Sequence, residues 1–342
     1  MSDAHAGQSR PIVTRAGAPQ CVVRRSALLA LATAALPFGG RAQSEFPNRP
    51  LKVIVPQPPG GGFDFVARTL ADTLARQLGQ PVVVENRPGS GTLVGTDAAA
   101  KAAPDGYSLL VGSVSNFVLN VGLYPSLPYD PQRDFEPIGI AVAYSYTLMS
   151  RKDLGLDSLA EVLRQAKERP RALTYASAGN GSGQHVLAAA TWHLAGVELV
   201  HVPYRGAQAA YQDLLGGRVD LFFDLAPTAR AQVQAGSVRA LATSGALRNP
   251  MHPDVPTLRE AGVDLELESW FGLFAPARTP APALARLREE LQRAARSNEQ
   301  QVIFTQAGGR PLALNADETR NLLARDLQRW TPLVRASGIK VE

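Results

Sequence analysis

Cysteine is almost absent from this 342-residue chain: its one thiol, Cys21, lies among the first forty residues, so no disulfide framework can hold the remainder together. Cohesion has to come from apolar packing. With 45% apolar residues the chain has enough for a large core, and its length suits two domains better than one. Metal-ligand spacing is missing too, since the histidines beyond the first forty residues (185, 193, 201 and 252) show no i,i+4 pairing and have no thiolate to join them. No metal or other cofactor is expected. Nor does any apolar run reach the roughly 20 residues needed to span a bilayer as a helix.

The longest such run, Ala27 to Leu36, follows Arg24 and Arg25 and precedes Pro37, Gly39 and Gly40. This order predicts a signal peptide over residues 1–42, with Gly40-Arg41-Ala42 offering the small residues that a signal peptidase reads and a mature start near Gln43. Arg24-Arg25-Ser26-Ala27-Leu28 loosely fits a twin-arginine leader, which leaves that route and the general secretory route both open. Cys21 precedes the apolar run and is therefore no lipid attachment site. The leader holds five arginines and one acid out of totals of 35 and 30, so the mature chain is close to neutral, at about +1. The formal charge of +5 thus argues for neither a nucleic-acid partner nor an anionic membrane.

Several signatures of chemistry fail on spacing. Gly89-Ser90-Gly91 follows a strand-like stretch, but the third glycine of a dinucleotide fingerprint falls at Gly95, one position late. No glycine-lysine-hydroxyl triplet supports a P-loop, and no serine has glycines two residues away on both sides as a hydrolase elbow requires. Ser177, His185 and Asp224 are the one set from which a catalytic triad can be drawn, with nothing in their spacing to support it.

What the chain does contain, from Leu51 onward, is an alternation of short β-branched runs with longer helical segments, the pattern of parallel βαβ units. Strands are predicted at 51–55, 81–85 and 107–111, then at 172–176, 198–202, 219–223 and 238–242. Two such series imply two lobes. Val66, Leu70, Leu74 and Leu78 recur every four residues after Asp64, and Ser158 with Glu161 forms a capping box before Leu159, Val162, Leu163 and Ala166. Beyond Trp270 come a strand-like Phe271 to Phe274 and two helical stretches, the last marked by Leu323, Leu327, Trp330 and Val334. Docking that tail on the first lobe makes the lobe discontinuous, with crossover strands near 141–149 and 268–274.

Three segments place glycines or small polar residues directly after a strand, where open α/β sheets bind ligands. They are Gly60-Gly61-Gly62 with Asp64, Ser113 with Asn116, and Ser177-Ala178-Gly179 with Gly181 and Ser182. Free backbone N–H groups in such loops can hold an anion. Tyr204 and Arg205 follow another strand, and Arg205 can either pair with a ligand carboxylate or point into water. Asp224, at the end of an apolar strand, needs a partner such as a ligand ammonium, a hydroxyl or an ordered water.

These blocks resemble the Bordetella uptake gene family, the extracytoplasmic binding receptors of tripartite tricarboxylate transporters. The likeness covers essentially the whole mature chain through Pro58-Pro59-Gly60-Gly61-Gly62, Val84-Glu85-Asn86-Arg87-Pro88-Gly89, Ala103-Pro104-Asp105-Gly106-Tyr107 and Leu127-Pro128-Tyr129-Asp130. It continues through Tyr175-Ala176-Ser177-Ala178-Gly179, His201-Val202-Pro203-Tyr204, Asp213-Leu214-Leu215-Gly216-Gly217 and Ser269-Trp270-Phe271-Gly272.

The resemblance implies an α/β type II periplasmic-binding-protein fold, two lobes joined by two hinge strands, with lobe 1 at 43–146 and 271–342 and lobe 2 at 147–270. It implies a periplasmic receptor without enzymatic activity that closes on a dicarboxylate, tricarboxylate, amino acid or aromatic acid and serves integral-membrane permease subunits. By the same resemblance the loops Gly60 to Asp64 and Ser177 to Ser182 hold a carboxylate, partly through water, with Ser113, Tyr204 and Asp224 around the pocket. A monomer is expected. A ligand sensor feeding a signalling partner, or a hydrolase on the same scaffold, are the alternatives. Two departures from the family pattern, Phe63 and Gln57, bear on the wall of the pocket.

Overall fold

The computed structural model describes residues 46–339, so the predicted leader and the mature start at Gln43 lie outside the described residues. The strands are β1 Leu51–Val55, β2 Val82–Asn86, β3 Ser108–Ser113, β4 Phe135–Arg151, β5 Thr174–Ser177, β6 Val200–Pro203, β7 Leu221–Leu225, β8 Val238–Thr243, β9 Glu268–Pro276 and β10 Gly309–Leu314. Helices are α1 Gly62–Leu78, α2 Leu93–Ala100, α3 Asn120–Leu123, α4 Leu159–Glu168, α5 Gly183–Ala195, α6 Ala207–Leu215, α7 Ala226–Gln234, α8 Ala281–Arg296, α9 Asn298–Gln306 and α10 Ala316–Ala336.

Two parallel sets repeat one topology. The first runs β2-β1-β3 and the second β6-β5-β7, so in each the strand order reverses beside a central strand. Such reversals leave a crevice at the carboxyl ends of the strands. The predicted strands fall within two residues of the observed ones, because sheets covered on both faces demand continuous apolar runs such as Leu221-Phe222-Phe223, but β8, expected in the second parallel series, pairs antiparallel with β4.

Two antiparallel strands join the sets. Through Ser145, β4 pairs with β9 and β10, and from Tyr146 onward the same strand pairs with β7 and β8. β9 lies between β3 and β4. The two expected crossovers fall on these strands, where Phe63 and Tyr144 pack on Phe271, and Tyr146 and Phe274 are fully buried. Ser244, fully buried, ties the crossovers together. Its Oγ accepts from Tyr146 N–H at 2.9 Å and donates to Leu267 O at 2.5 Å, while its backbone exchanges bonds with the same two residues.

Local signals explain most helix ends. Val66, Leu70, Leu74 and Leu78 are buried as the period required, and α1 stops at Gly79, which takes the left-handed conformation at φ 65°. Ser158 caps α4 by accepting from Glu161 N–H, but the Glu161 carboxylate takes the N–H of Asp157 instead of that of Ser158, so the predicted box is only half formed. The complete box belongs to Asn315 and Glu318 at the start of α10.

The tail returns to the first sheet as expected, with Trp270 Nε1 donating to Asp326 on α10 at 2.8 Å. It differs in content: three helices and the strand β10 stand where two helical stretches were expected. Pro311 hid that strand, and it is tolerated because β10 pairs only with β4 and is an edge.

Replacing Ser244 with Ala leaves the Tyr146 N–H and the Leu267 carbonyl buried with one partner fewer each. The expected loss is about 1–3 kcal/mol of unfolding free energy, measured by urea denaturation, and an unchanged midpoint contradicts the role given to this hydroxyl.

Candidate functional site: a cavity between four strand ends

Four loops that follow parallel strands, two from each set, enclose a cavity of about 550 Å³. Pro56 to Pro58 follow β1, Pro88 to Gly91 follow β2, Ala178 to Asn180 follow β5, and Pro203 to Gly206 form the end of β6 and the loop after it. This volume suits a small ligand. A more polar crevice of about 630 Å³ opens on the far side of the first loop, between α1, α6, α7 and α9. Gly60, Gly61 and Asp64 line it, but its arginines are engaged by Asp64 and Glu299.

The sets meet across the cleft at glycines. Gln208 Nε2 on α6 donates to Gly60 O at 2.8 Å. A Cβ on Gly62 would overlap Leu225, one on Gly91 would overlap the Asn180 carbonyl, and one on Gly206 would lie 3.0 Å from Pro58. Only glycine permits these approaches.

Asp64 shapes the first loop instead of facing the cavity. Its carboxylate accepts from Gly60 N–H at 3.0 Å, from Arg68 through two bonds at 2.9 and 3.0 Å, and from Asn86 Nδ2 at 3.0 Å. Burial pushes its pKa up, yet the bonds from Arg68, Gly60 and Asn86 outweigh it and hold the carboxyl below its ordinary value. The N-cap of α1, Gly61, provides no side-chain cap, so its first-turn amides are left for other partners. Gln57 is buried over this loop, and Phe63 packs edge to face on Phe271 at 5.0 Å.

The β5–α5 loop rests on two histidines. Ser177 Oγ lies 2.7 Å from His201 Nε2, Gly181 N–H donates to His185 Nδ1 at 3.2 Å, and the two rings stack at 3.8 Å with Tyr175 on the far side of His201. Burial lowers the His201 pKa to about 4, and burial with the neighbouring ring lowers that of His185 to about 3. Ser182 caps α5 by accepting from His185 N–H. The next residue, Gly183, abuts the hydroxyls of Tyr146 and Ser115, so the start of α5 meets both β4 and the segment after β3.

The other expected residues divide by surroundings. Ala178, Gly179 and Tyr204 line the cavity, the Tyr204 hydroxyl being held by Asp213 at 2.9 Å. Ser113 and Asn116 are fully buried in the first set, where Asn116 Oδ1 accepts from Ser113 N–H and its Nδ2 donates to Thr96. Asp224 is buried with Gln184 and Thr228 as donors, and burial raises its pKa despite them. No triad is assembled, since Asp224 bonds neither histidine. Pro88 to Gly91 escaped the sequence reading as a wall of the site because Gly89 and Gly91 were weighed only against a dinucleotide motif.

A cleft closed by strand-end loops of two hinged α/β lobes defines a solute-binding protein. Residues 66–339 match the family described as tripartite tricarboxylate transporter family receptor, and the chain belongs to it. It is 37% identical over 299 residues to Protein BugT of Bordetella pertussis, covering 87% of this chain and 92% of that protein. Among solved structures it resembles the periplasmic binding protein BugD (34% identity, TM-score 0.82, 86% of this chain and 99% of that one). It equally resembles Rpa4515 of R. palustris, solved with adipate (30% identity, TM-score 0.82, 86% and 99%).

Two depressed histidine pKa values mean that the unfolded chain binds more protons than the folded one below pH 6.5, so stability falls as pH drops from about 6.5 toward 4. The slope is up to about 1.4 kcal/mol per pH unit for each ring. Thermal unfolding across that range should show the decline, and a chain with both His185→Phe and His201→Phe should lose that part of it. An identical slope in the double variant contradicts the assignment.

Proposed function

We propose that the mature chain is a periplasmic receptor that captures a small carboxylate between its lobes, performs no reaction on it and delivers it to permease subunits of a tripartite transporter. Lobe 1 comprises 43–146 and 271–342, and lobe 2 comprises 147–270. The leader over 1–42 is removed on export, and the receptor works as a monomer without a cofactor. The single observation that carries this reading is the convergence of two loops from each lobe on one cavity, with α1, whose N-cap Gly61 offers no side-chain cap, beginning after one of them and the Ser182-capped α5 after another.

Each helix start contributes a partial positive charge that favours an anion by up to about 1 kcal/mol. Closure removes water and strengthens these contacts. A ligand that touches both lobes stabilises the closed state by its differential affinity, and the permease reads that state. Adipate in Rpa4515 supports a carboxylate as the ligand class. The change of β4 from one sheet to the other at Ser145 and Tyr146 supports the lobe boundary.

A thermal-shift screen of the mature protein against mono-, di- and tricarboxylates tests the proposal, because a ligand at 100 times its Kd adds about 2.7 kcal/mol. Stabilisation by amines or sugars and by no acid overturns it. Gly61 has an ordinary φ of −97° and a Cβ there would meet only Gln57 Oε1, at 3.8 Å. Gly61→Trp should therefore fold and, by displacing the ligand from the start of α1, abolish the shift. Undiminished affinity in that variant removes the first loop from the site.

A further inference from the structure

The wall of the cavity is made almost entirely of proline, glycine and neutral polar residues, and Arg205 is the one charged residue among those that line it. Its guanidinium takes part in no ion pair or side-chain hydrogen bond among the described residues. The first acid after it in the chain is already committed: Asp213 accepts from Arg218 Nε at 2.7 Å and from the Tyr204 hydroxyl at 2.9 Å. An uncompensated cation on the wall of a small cavity attracts an anionic group that enters it.

The position of Arg205 is also fixed relative to the amide loop beside it. Ser177 and Pro203 are paired partners at the ends of β5 and β6, and Tyr204 N–H donates to Ser177 O at 3.1 Å. Gly206, at φ 98°, turns the chain immediately afterwards and rests on Pro58 of the opposite lobe. Arg205 therefore stands at the seam where the lobes meet, on the same rigid sheet end as Ala178 and Gly179. Hinge motion leaves the separation between that loop and the start of the arginine side chain unchanged, so this spacing can act as a gauge of ligand length from first capture.

We infer that Arg205 is a specificity-determining residue: it binds a second anionic group of the ligand, at the end away from the carboxylate held by the helix starts, and so selects diacids over monoacids of equal chain length. The inference rests on the carboxylate reading above. A charge-assisted contact of this kind is worth about 10- to 100-fold in affinity. Arginine is suited to it because its planar fork meets a carboxylate through two parallel bonds.

Isothermal titration of the full mature protein with two pairs, adipate against hexanoate and succinate against butanoate, separates the possibilities. In wild type at least one diacid should bind about tenfold or more tightly than its monoacid partner. In Arg205→Gln the loss should fall on the diacid about tenfold more than on the monoacid, and Arg205→Lys should recover part of it. Equal affinities of wild type for both members of each pair overturn the role of Arg205 and leave carboxylate capture standing. A loss in Arg205→Gln that is equal for both members also overturns it. If none of the four acids binds wild type, the carboxylate reading falls and this inference falls with it. An unchanged unfolding midpoint in each variant confirms that affinity, not folding, has been altered.

Discussion

Everything at the cleft depends on bare glycine backbone lying close against the opposite lobe. Gly62 against Leu225, Gly91 against Asn180 and Gly206 against Pro58 leave no room for a methyl group, and the Gln208 amide reaches the Gly60 carbonyl directly. A side chain at any of these points would prop the lobes apart.

Around this seam the charged residues are arranged so that they do not compete with the peptide dipoles. Asp64 lies close to the first helix start, and an unmatched carboxylate there would repel an acidic guest. Arg68 covers it through two bonds, while Asn86 and the Gly60 N–H satisfy what remains. On the other lobe the supporting rings are His185 and His201, which burial keeps neutral, so they brace Ser177 and Gly181 without contributing charge. Arg205 is the exception, a formal charge with no partner at the edge of an otherwise neutral enclosure.

The parallel strands and the glycine loops could be read from the sequence because both are local: an apolar run followed by residues without bulk reports a strand and the turn that leaves it. What stayed hidden depends on partners distant in the chain. Asp64 was placed in the pocket with its loop, whereas its role as a brace requires Asn86 at the end of a neighbouring strand. Ser244 carries no signal at all, since Tyr146 and Leu267 meet it only after both crossovers form. The strand β10 was concealed by Gly309 and Pro311, residues that an interior strand would exclude and an edge accepts. Histidines 185 and 201 looked unremarkable sixteen positions apart, and only the pairing of β5 with β6 stacks them.

The insertion of β9 between β3 and β4 has a bearing on how the molecule assembles. The first three strands are made early, but the sheet they belong to lacks an interior member until residues 268–276 have emerged, and β4 gains its β10 neighbour later still. The intervening lobe, being continuous, can condense first. Non-local pairing of this kind slows folding and keeps strand edges exposed meanwhile. The first lobe of such a chain therefore stays incomplete until its last strand has been made, so its edges depend on residues that come only after the intervening lobe.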